Sequence, residues 1–310
     1  MNDMTSPVNK RFDFVLLFDV TDGNPNGDPD AGNLPRIDPQ SMQGLVTDGC
    51  IKRKIRNAIS VLGEGKSGFD LYFQTQDAPY EKRILNKLHE KAYEAVGAKD
   101  SANAKPEAKA ANTANARKWM CKEYFDIRAF GAVLSTGVNC GQVRGPVQIT
   151  FARSIDPVVP LEFSITRKSI TTEKDAEAQV KKDGSMTGTM GRKHTIPYGL
   201  YRASGFVNAY LATDTGFSFG DLEMLWQALK GLMWEIDRSA SRGLMATRGL
   251  YVFEHDGPLG SAPAHQLLDR IHINPLGSEA APRNFEHYKP GITVDESNLP
   301  AGVKLHRLIG

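Results

Sequence analysis

Basic side chains follow a loop that is rich in carboxylate and amide groups. Lys52, Arg53 and Arg56 lie close together, and no Asp or Glu occurs from Ile51 to Val61. At 100° per residue these three cations fall on the side of a helix that faces away from its apolar stripe. A charge run is commonly a solvated face, but cations without acidic neighbours also bind phosphates. The spacing favours a nucleic-acid backbone as the ligand, only slightly over a solvated face.

Two short motifs suggest metal or nucleotide chemistry but fail in their wider pattern. The stretch that begins at Asp22 opens like an EF-hand calcium loop, yet its twelfth position is Asn33 where a bidentate Glu is needed. The GKS tripeptide ending at Ser67 lacks the glycine that a phosphate loop requires at position 60, which is Ser60. The histidines show no zinc-protease spacing, and there is no nucleophile elbow. We therefore expect no metal, no cofactor and no catalytic residue.

A second group of cations brackets a polar, Gly-rich segment, and consists of Arg167, Lys168, Arg192 and Lys193. Met186 and Met190 lie on this segment, which is predicted to be an exposed hairpin or flap. Methionines there fill the core if the flap folds back, or wedge between nucleic-acid bases if it projects. His194 could serve as a general base in RNA cleavage, although a histidine that only binds fits a basic patch better.

Composition sets the broad class. The chain has 310 residues and a net charge of +2, so it could hold one elaborated domain or two, and any nucleic-acid binding must come from local clusters rather than from the overall field. No stretch is long and apolar enough to span a membrane. Met1 to Lys10 lacks a signal sequence, and Cys50, Cys121 and Cys140 suggest neither disulfides nor zinc. We expect a cytoplasmic protein.

The first half of the chain alternates core elements with polar segments. Phe12 to Val20 is predicted as a buried strand, and the turn-rich residues 23–39 as a long surface loop. A helix is expected from Asp48, its predicted N-cap, to the glycines at 63 and 65. Another is expected from Tyr80 to Val96, and residues 97–116 lack the apolar side chains needed to bury a face.

The second half is predicted to be mainly strands. Tyr124 to Val133, Leu161 to Arg167 and Tyr198 to Leu211 have strand chemistry. Ser218 and Asp221 form a capping-box start to a broad apolar helix. The strand prediction continues at 249–255 and 270–274, and residues 292–308 are predicted to close as a hairpin. Without the insertions the order is βαββαβ, which predicts an α+β, ferredoxin-like fold.

Six segments, in the same order and over nearly the whole chain, resemble the Cascade backbone subunit of type I CRISPR systems, a member of the RAMP superfamily. The resemblance is closest to the subtype I-C version. The segments are NPNGDP, LPRID, VTDGCIKRKIR, DIRAFGAVL, VRGPVQI and RGLMATRGLYVFEH. Several motifs that match jointly are far more specific than any one of them.

The resemblance implies a modified RNA-recognition palm with large insertions that form fingers and a thumb. The implied parts are palm at 1–67, fingers at 68–120, palm at 121–166, a thumb hairpin at 167–196, and palm with a C-terminal hairpin at 197–310. It also implies that copies stack head-to-tail on the CRISPR RNA, together with other Cascade subunits, and present the RNA to target DNA.

The same resemblance implies a site that binds by phosphate contacts and shape, without sequence readout. The usual aromatic motif of RNA-recognition domains is missing, so stacking of bases on the sheet face is not expected. The implied thumb wedge is Met186 or Met190. The implied RNA-binding residues are Asn24, Asn26, Arg36, Lys52, Arg53, Arg56, Arg144, Arg167, Lys168, Arg192, Lys193 and His194.

Two alternatives remain open at this point. The first is a ribonuclease, because related filament subunits of type III systems cleave RNA with an aspartate, for which Asp28 or Asp38 could be proposed. The second is a generic single-strand-binding protein, for which guide-dependent assembly with other Cascade subunits should be absent.

Overall fold

Antiparallel strands dominate the computed structural model, which describes residues 3–74, 78–98, 105–184, 188–274 and 281–310. The strands are β1 (Phe12–Gly23), β2 (Gly27–Asp28), β3 (Leu34–Pro35), β4 (Gln43–Val46), β5 (Gly131–Val133), β6 (Gln142–Arg144), β7 (Val147–Ile149), β8 (Ala152–Pro157), β9 (Leu161–Arg167), β10 (Thr189–Val207), β11 (Leu244–His255), β12 (Ile271–Ile273), β13 (Ile292–Val294) and β14 (Val303–Ile309).

The helices cover the sheet and fill the insertions. They are α1 (Asp48–Leu62), α2 (Tyr80–Arg83), α3 (Leu85–Ala95), α4 (Pro106–Glu123), α5 (Phe125–Phe130), α6 (Glu173–Asp183), α7 (Ala209–Thr215), α8 (Phe219–Gln227), α9 (Met233–Ile236) and α10 (Ala264–Leu268). A π-helical turn, Ala228–Leu232, joins α8 to α9 at Gly231. No helix in the described ranges is long and apolar enough to cross a membrane.

The main sheet has the strand order β14-β11-β1-β10-β8-β4, and β7 and β9 also pair with β10. Every pairing in it is antiparallel. β1 lies at the centre, between β10 and β11, as expected for a strand whose sequence is apolar on both faces. The predicted strand is therefore confirmed, and it continues to Gly23.

Each face of β1 contributes to a separate core. Phe14, Leu16 and Phe18 pack on the face covered by α1, α8 and α9. The alternate residues Val15 and Leu17 pack on the other face. That second face is covered by residues of α10, β12 and the C-terminal part of the chain, so the sheet is buried on both sides. A third cluster joins α3, α4 and α5 in the region of the predicted fingers.

The N-cap residue of helix α1 lies one position earlier than expected. Thr47, in extended conformation, is the N-cap, and its side chain accepts a hydrogen bond from the backbone N–H of Cys50. Asp48, the predicted N-cap, is instead the first residue of the helix. An acidic side chain in that first turn is favourable because the helix dipole is positive there.

Three predicted elements differ from the structure: one strand is mostly a helix, one strand ends earlier than expected, and one hairpin does not form. Tyr124 to Val133 holds helix α5 and the short β5, since a fully buried segment shows no period that distinguishes helix from strand. β10 ends at Val207, where Asn208 caps α7. Residues 292–308 form no closing hairpin, because β13 pairs with β12 and β14 pairs with β11.

The secondary structure of residues 78–98 and 105–120 follows the prediction in part. The helix expected from Tyr80 to Val96 is broken at Ile84 into α2 and α3. Of residues 97–116, those from Pro106 onward belong to α4, whose Ala116 and Met120 are fully buried. Residues 99–104 lie outside the described ranges.

The hairpin predicted between the cations at 167–168 and those at 192–193 is present, and it is longer than expected. β9 pairs with the first half of β10, from Leu161 opposite Thr195 to Arg167 opposite Thr189. Helix α6 forms its tip. Every residue of β9 is exposed, so this two-stranded hairpin stands away from the core.

A buried ion pair joins α5 to α8, the predicted capping-box helix, whose capping box is confirmed. Arg128 of α5 donates from Nε and Nη2 to the two carboxylate oxygens of Asp221, at 2.9 and 2.7 Å. Asp221 also completes the capping box with Ser218 at the start of α8. Both side chains are less than a tenth exposed.

We expect Arg128→Met to lower the free energy of unfolding by about 3–5 kcal/mol, because it leaves Asp221 buried without its cation. Urea denaturation followed by tryptophan fluorescence measures this. Arg238→Met is the control, since the Arg238–Glu235 pair is 57% exposed on both sides and should contribute less than about 1 kcal/mol. Equal losses in the two variants would contradict the assignment.

Candidate nucleic-acid interface

Asn24 and Asn26, in the loop after β1, form hydrogen bonds with other groups of the protein. Asn24 is buried, and its Nδ2 donates to the backbone oxygen of Asn33 at 2.7 Å. Asn26 Oδ1 accepts hydrogen bonds from the backbone N–H and the hydroxyl of Thr47, at 2.9 and 3.0 Å. The loop is thereby tied to the first turn of α1.

The loop carboxylates are held by arginines. Asp28 lies 3.2 Å from Nη1 of Arg36, and Asp38 accepts from Nη1 of Arg153 at 2.8 Å. The hydrogen bond from Arg153 holds the pKa of Asp38 below its usual value. Arg36 also has a buried Nε without a hydrogen-bond partner in the described part of the chain.

Arg56 points into the protein, contrary to the expectation from the helical wheel. Its side chain is 11% exposed, and Nε donates to Asp126 Oδ2 at 2.8 Å. Asp126 is fully buried and also accepts from the backbone N–H groups of Tyr72 and Phe73. Arg56 therefore neutralises a buried carboxylate that organises the start of the fingers region.

Lys52 and Arg53 are also engaged. Lys52 Nζ lies 3.0 Å from Asp48, one turn earlier, and Arg53 donates to the backbone oxygens of Phe73 and Gln74 at 2.8 and 2.9 Å. The expectation that the helix cations lack acidic partners is therefore wrong for Lys52 and Arg56. Asp48 precedes the acid-free stretch from Ile51 to Val61, and Asp126 lies far away in the sequence.

Arg144 is exposed on β6, opposite Gly131. Gly131 follows Phe130, whose ring lies near both Lys52 and Arg56. The structure thus brings Lys52, Arg56 and Arg144 to the same neighbourhood, the junction between α1 and the fingers region. Among them, Arg144 is the exposed cation.

Three of the four hairpin cations are exposed. Arg192 is 74% exposed beside Glu162, with Nε 3.2 Å from its carboxylate. Arg167 donates to the hydroxyl of Thr171 at 2.7 Å and to the backbone oxygen of Ser169. Lys168 is exposed and Lys193 half-buried. Arg167, Lys168 and Arg192, together with Arg144, are the exposed cations among the predicted site residues.

His194 and Met190 share one face of the hairpin with Arg192, because alternate residues of a strand point the same way. Met190 is 75% exposed, so it does not fill the core in this structure. His194 lies opposite Glu162, and its Nδ1 is buried without a hydrogen-bond partner in the described part of the chain. Met186 lies outside the described residues, and its wedge role stays a prediction.

The opposite face of the hairpin carries an apolar stripe that the sequence reasoning missed. Leu161, Phe163 and Ile165 are 40, 50 and 51% exposed. The strict alternation of apolar and polar residues in LEFSIT was the available signal. The predicted strand over Leu161 to Arg167 is present, and its pairing with β10 places it in the projecting hairpin.

The loop and the root of the hairpin meet at one edge of the sheet. β4, at the end of the loop, pairs with β8, and the backbone N–H of Val158 donates to the oxygen of Met42 at 2.9 Å. The end of the loop and the root of the hairpin are therefore neighbours. No group of three potential metal ligands occurs in the residues that the structure describes.

Asn26 offers a direct test of the loop anchoring. We expect Asn26→Ala to lower the free energy of unfolding by about 1–2 kcal/mol, because two hydrogen bonds to Thr47 are lost. Asn26→Asp keeps an acceptor at the positive end of α1 and should remain close to the parent protein. Thermal denaturation of both variants measures this, and an Asp variant as unstable as the Ala variant would contradict it.

Comparisons with known proteins agree on one family. The family model described as CRISPR-associated protein Cas7 matches residues 10–295. A curated CRISPR-associated protein Cas7 from Haloferax volcanii is 26% identical over 243 residues, which cover 71% of this chain and 64% of the relative. The alignment therefore spans slightly less than two thirds of the relative's length.

Two solved structures are also similar, although at low identity. One, described as a CRISPR RNA-guided surveillance complex before nicking, has a TM-score of 0.46 at 14% identity and covers 78% of each chain. Another CRISPR RNA-guided surveillance complex has a TM-score of 0.44 at 14% identity, covering 87% of this chain and 77% of that one. Because the family model matches most of this chain, the chain belongs to the CRISPR-associated protein Cas7 family.

Proposed function

We propose that this chain is the guide-binding backbone subunit of a CRISPR RNA-guided surveillance complex of subtype I-C. It binds CRISPR RNA through phosphates, packs head-to-tail with further copies and other subunits, and presents the RNA for pairing with target DNA. Family membership supports the general role. The observation that carries the proposal is the projecting hairpin of β9 and β10, with cations and exposed apolar side chains.

A hairpin of this kind needs a partner. Two-stranded hairpins are marginally stable by themselves, and this one exposes Leu161, Phe163 and Ile165 on one face. The other face carries Arg192 and Met190. Such a surface suits simultaneous contact with a nucleic-acid backbone and with a neighbouring protein. In this proposal the hairpin is the thumb.

The sheet supports an RNA-recognition type of palm. The order β11-β1-β10-β8, antiparallel throughout, with α1 after the first strand and α8 before the last, corresponds to the ferredoxin-like arrangement. Both faces of the sheet are covered by side chains. RNA is therefore proposed to lie along the edge formed by the loop and the hairpin, with no bases stacked on the sheet.

The predicted RNA-binding residues divide into two roles in this proposal. Arg144 and the hairpin cations bind phosphates, with Met186 and Met190 as candidate wedges. The α1 cations and the loop asparagines hold the groove in shape, since their polar atoms contact the protein itself. Binding by phosphate contacts suits a guide whose sequence varies.

The ribonuclease alternative is less well supported. Asp28 and Asp38, its candidate aspartates, are each held by an arginine. We propose a binding subunit in which these carboxylates stabilise the loop.

Removing the hairpin charges tests the proposal. We expect the double variant K168A/R192A, which removes two exposed cations, to bind guide RNA more weakly for all spacer sequences. Its slope of log K against log salt should become shallower by about 1.4, or about 0.7 for each lost phosphate contact with single-stranded RNA. Fluorescence anisotropy across a salt titration measures both quantities.

The matched control is K304A/R307A, on the strand β14 at the opposite edge of the sheet. Both side chains are exposed, and the double variant removes the same charge. Its affinity and slope should stay near those of the parent protein. Equal changes in the two double variants would show that the hairpin is not the RNA-binding wall.

A further inference from the structure

An ion-pair network joins helix α1 to the segment 237–243, which lies between α9 and β11. Lys54 is 2% exposed and forms an ion pair with Asp237. Asn57 Nδ2 donates to the other oxygen of this carboxylate at 3.3 Å. Arg242 Nε lies 3.6 Å from Asp237. Asp237 is therefore held from α1 on one side and by Arg242 on the other.

The same segment holds the start of the loop after β1. The backbone N–H of Asn24 donates to the oxygen of Ser241 at 2.8 Å. Arg242 Nη1 donates to the oxygen of Pro25 at 3.4 Å. One guanidinium thus contacts both the carboxylate that binds α1 and the backbone of the loop.

The two chain segments cross too closely for side chains at the crossing point. A Cβ atom on Gly23 would lie 1.9 Å from the backbone oxygen of Arg242. Gly243 has a φ of +65°, and a Cβ there would lie 2.3 Å from the backbone oxygen of Thr21. Glycine is needed at both positions, so the crossing has little freedom to shift.

We propose that Arg242 is a positioning residue, which fixes the loop after β1 as one wall of the guide groove. The inference rests on the proposed function. Arg242 acts through Pro25 and Asp237 and makes no phosphate contact of its own. Its loss loosens the wall while the number of phosphate contacts stays the same.

Arg238 provides a matched control in the same segment. It has the same charge and is 57% exposed, and its ion pair is with Glu235, three residues earlier. A general effect of positive charge near the groove would appear in both Arg238→Met and Arg242→Met. Methionine preserves much of the aliphatic stem, so packing is retained in both variants.

The first readout needs no RNA. We expect hydrogen exchange at the amide of Asn24 and in the following loop to be faster in R242M than in the parent protein or in R238M. The melting temperature of the whole chain should be the same in all three proteins. Unchanged exchange in R242M would overturn the positioning role, whether or not the chain binds guide RNA.

The second readout is binding of guide RNA across a salt titration. R242M should bind about tenfold more weakly with an unchanged salt slope, and R238M should match the parent protein. A slope shallower by about 0.7 in R242M would instead indicate a direct phosphate contact. Failure of the parent protein to bind guide RNA would refute the proposed function, while the exchange experiment still decides the role of Arg242.

Arg242→Lys separates geometry from charge. A lysine ammonium keeps the charge but lacks the planar fork that serves two acceptors at once. We expect R242K to remain impaired in loop exchange. Full restoration of both exchange and affinity by lysine would show that charge alone is sufficient, and would overturn the bridging mechanism.

Discussion

The pairing of β1 with β10 is the constraint on which the rest of the structure depends. β1 is buried on both faces, and side chains such as Phe14, Leu16 and Phe18 each contribute about 1.5–3 kcal/mol by burial. β10 is a 19-residue strand, whose second half pairs with β1 and whose first half forms the projecting hairpin. The hairpin is thereby a direct extension of the core. The loop after β1 begins where that pairing ends, which places both walls at one edge.

The basic residues of this protein serve two different purposes. Arg56, Arg128 and Lys54 are buried and neutralise the carboxylates of Asp126, Asp221 and Asp237. Such pairs connect elements that are distant in sequence, and removing one partner leaves a buried charge that is costly. Arg167, Lys168 and Arg192 of the hairpin are exposed. A net charge of +2 is consistent with this division, because many cations are matched by acids within the fold.

Elements with a strong local pattern were predictable from the sequence, and elements determined by distant contacts were not. A few neighbouring residues are enough to recognise the apolar run of β1, the apolar stripe of α1 and the capping box at Ser218. The buried segment of α5 and the destinations of β13 and β14 depend on partners elsewhere. At the site, the position of the hairpin was predictable, whereas the inward direction of Arg56 was not, because Asp126 lies in a segment whose helix was missed.

The measurement that tests the central proposal most directly is the mass of the complex that the chain forms on guide RNAs of two lengths. Heterologous contacts between copies generate an open filament whose length the RNA determines. Native mass spectrometry should therefore show more copies of the chain on the longer guide, in proportion to the added spacer. The same number of copies on both guides, or a single copy on each, would contradict a backbone subunit that polymerises along RNA.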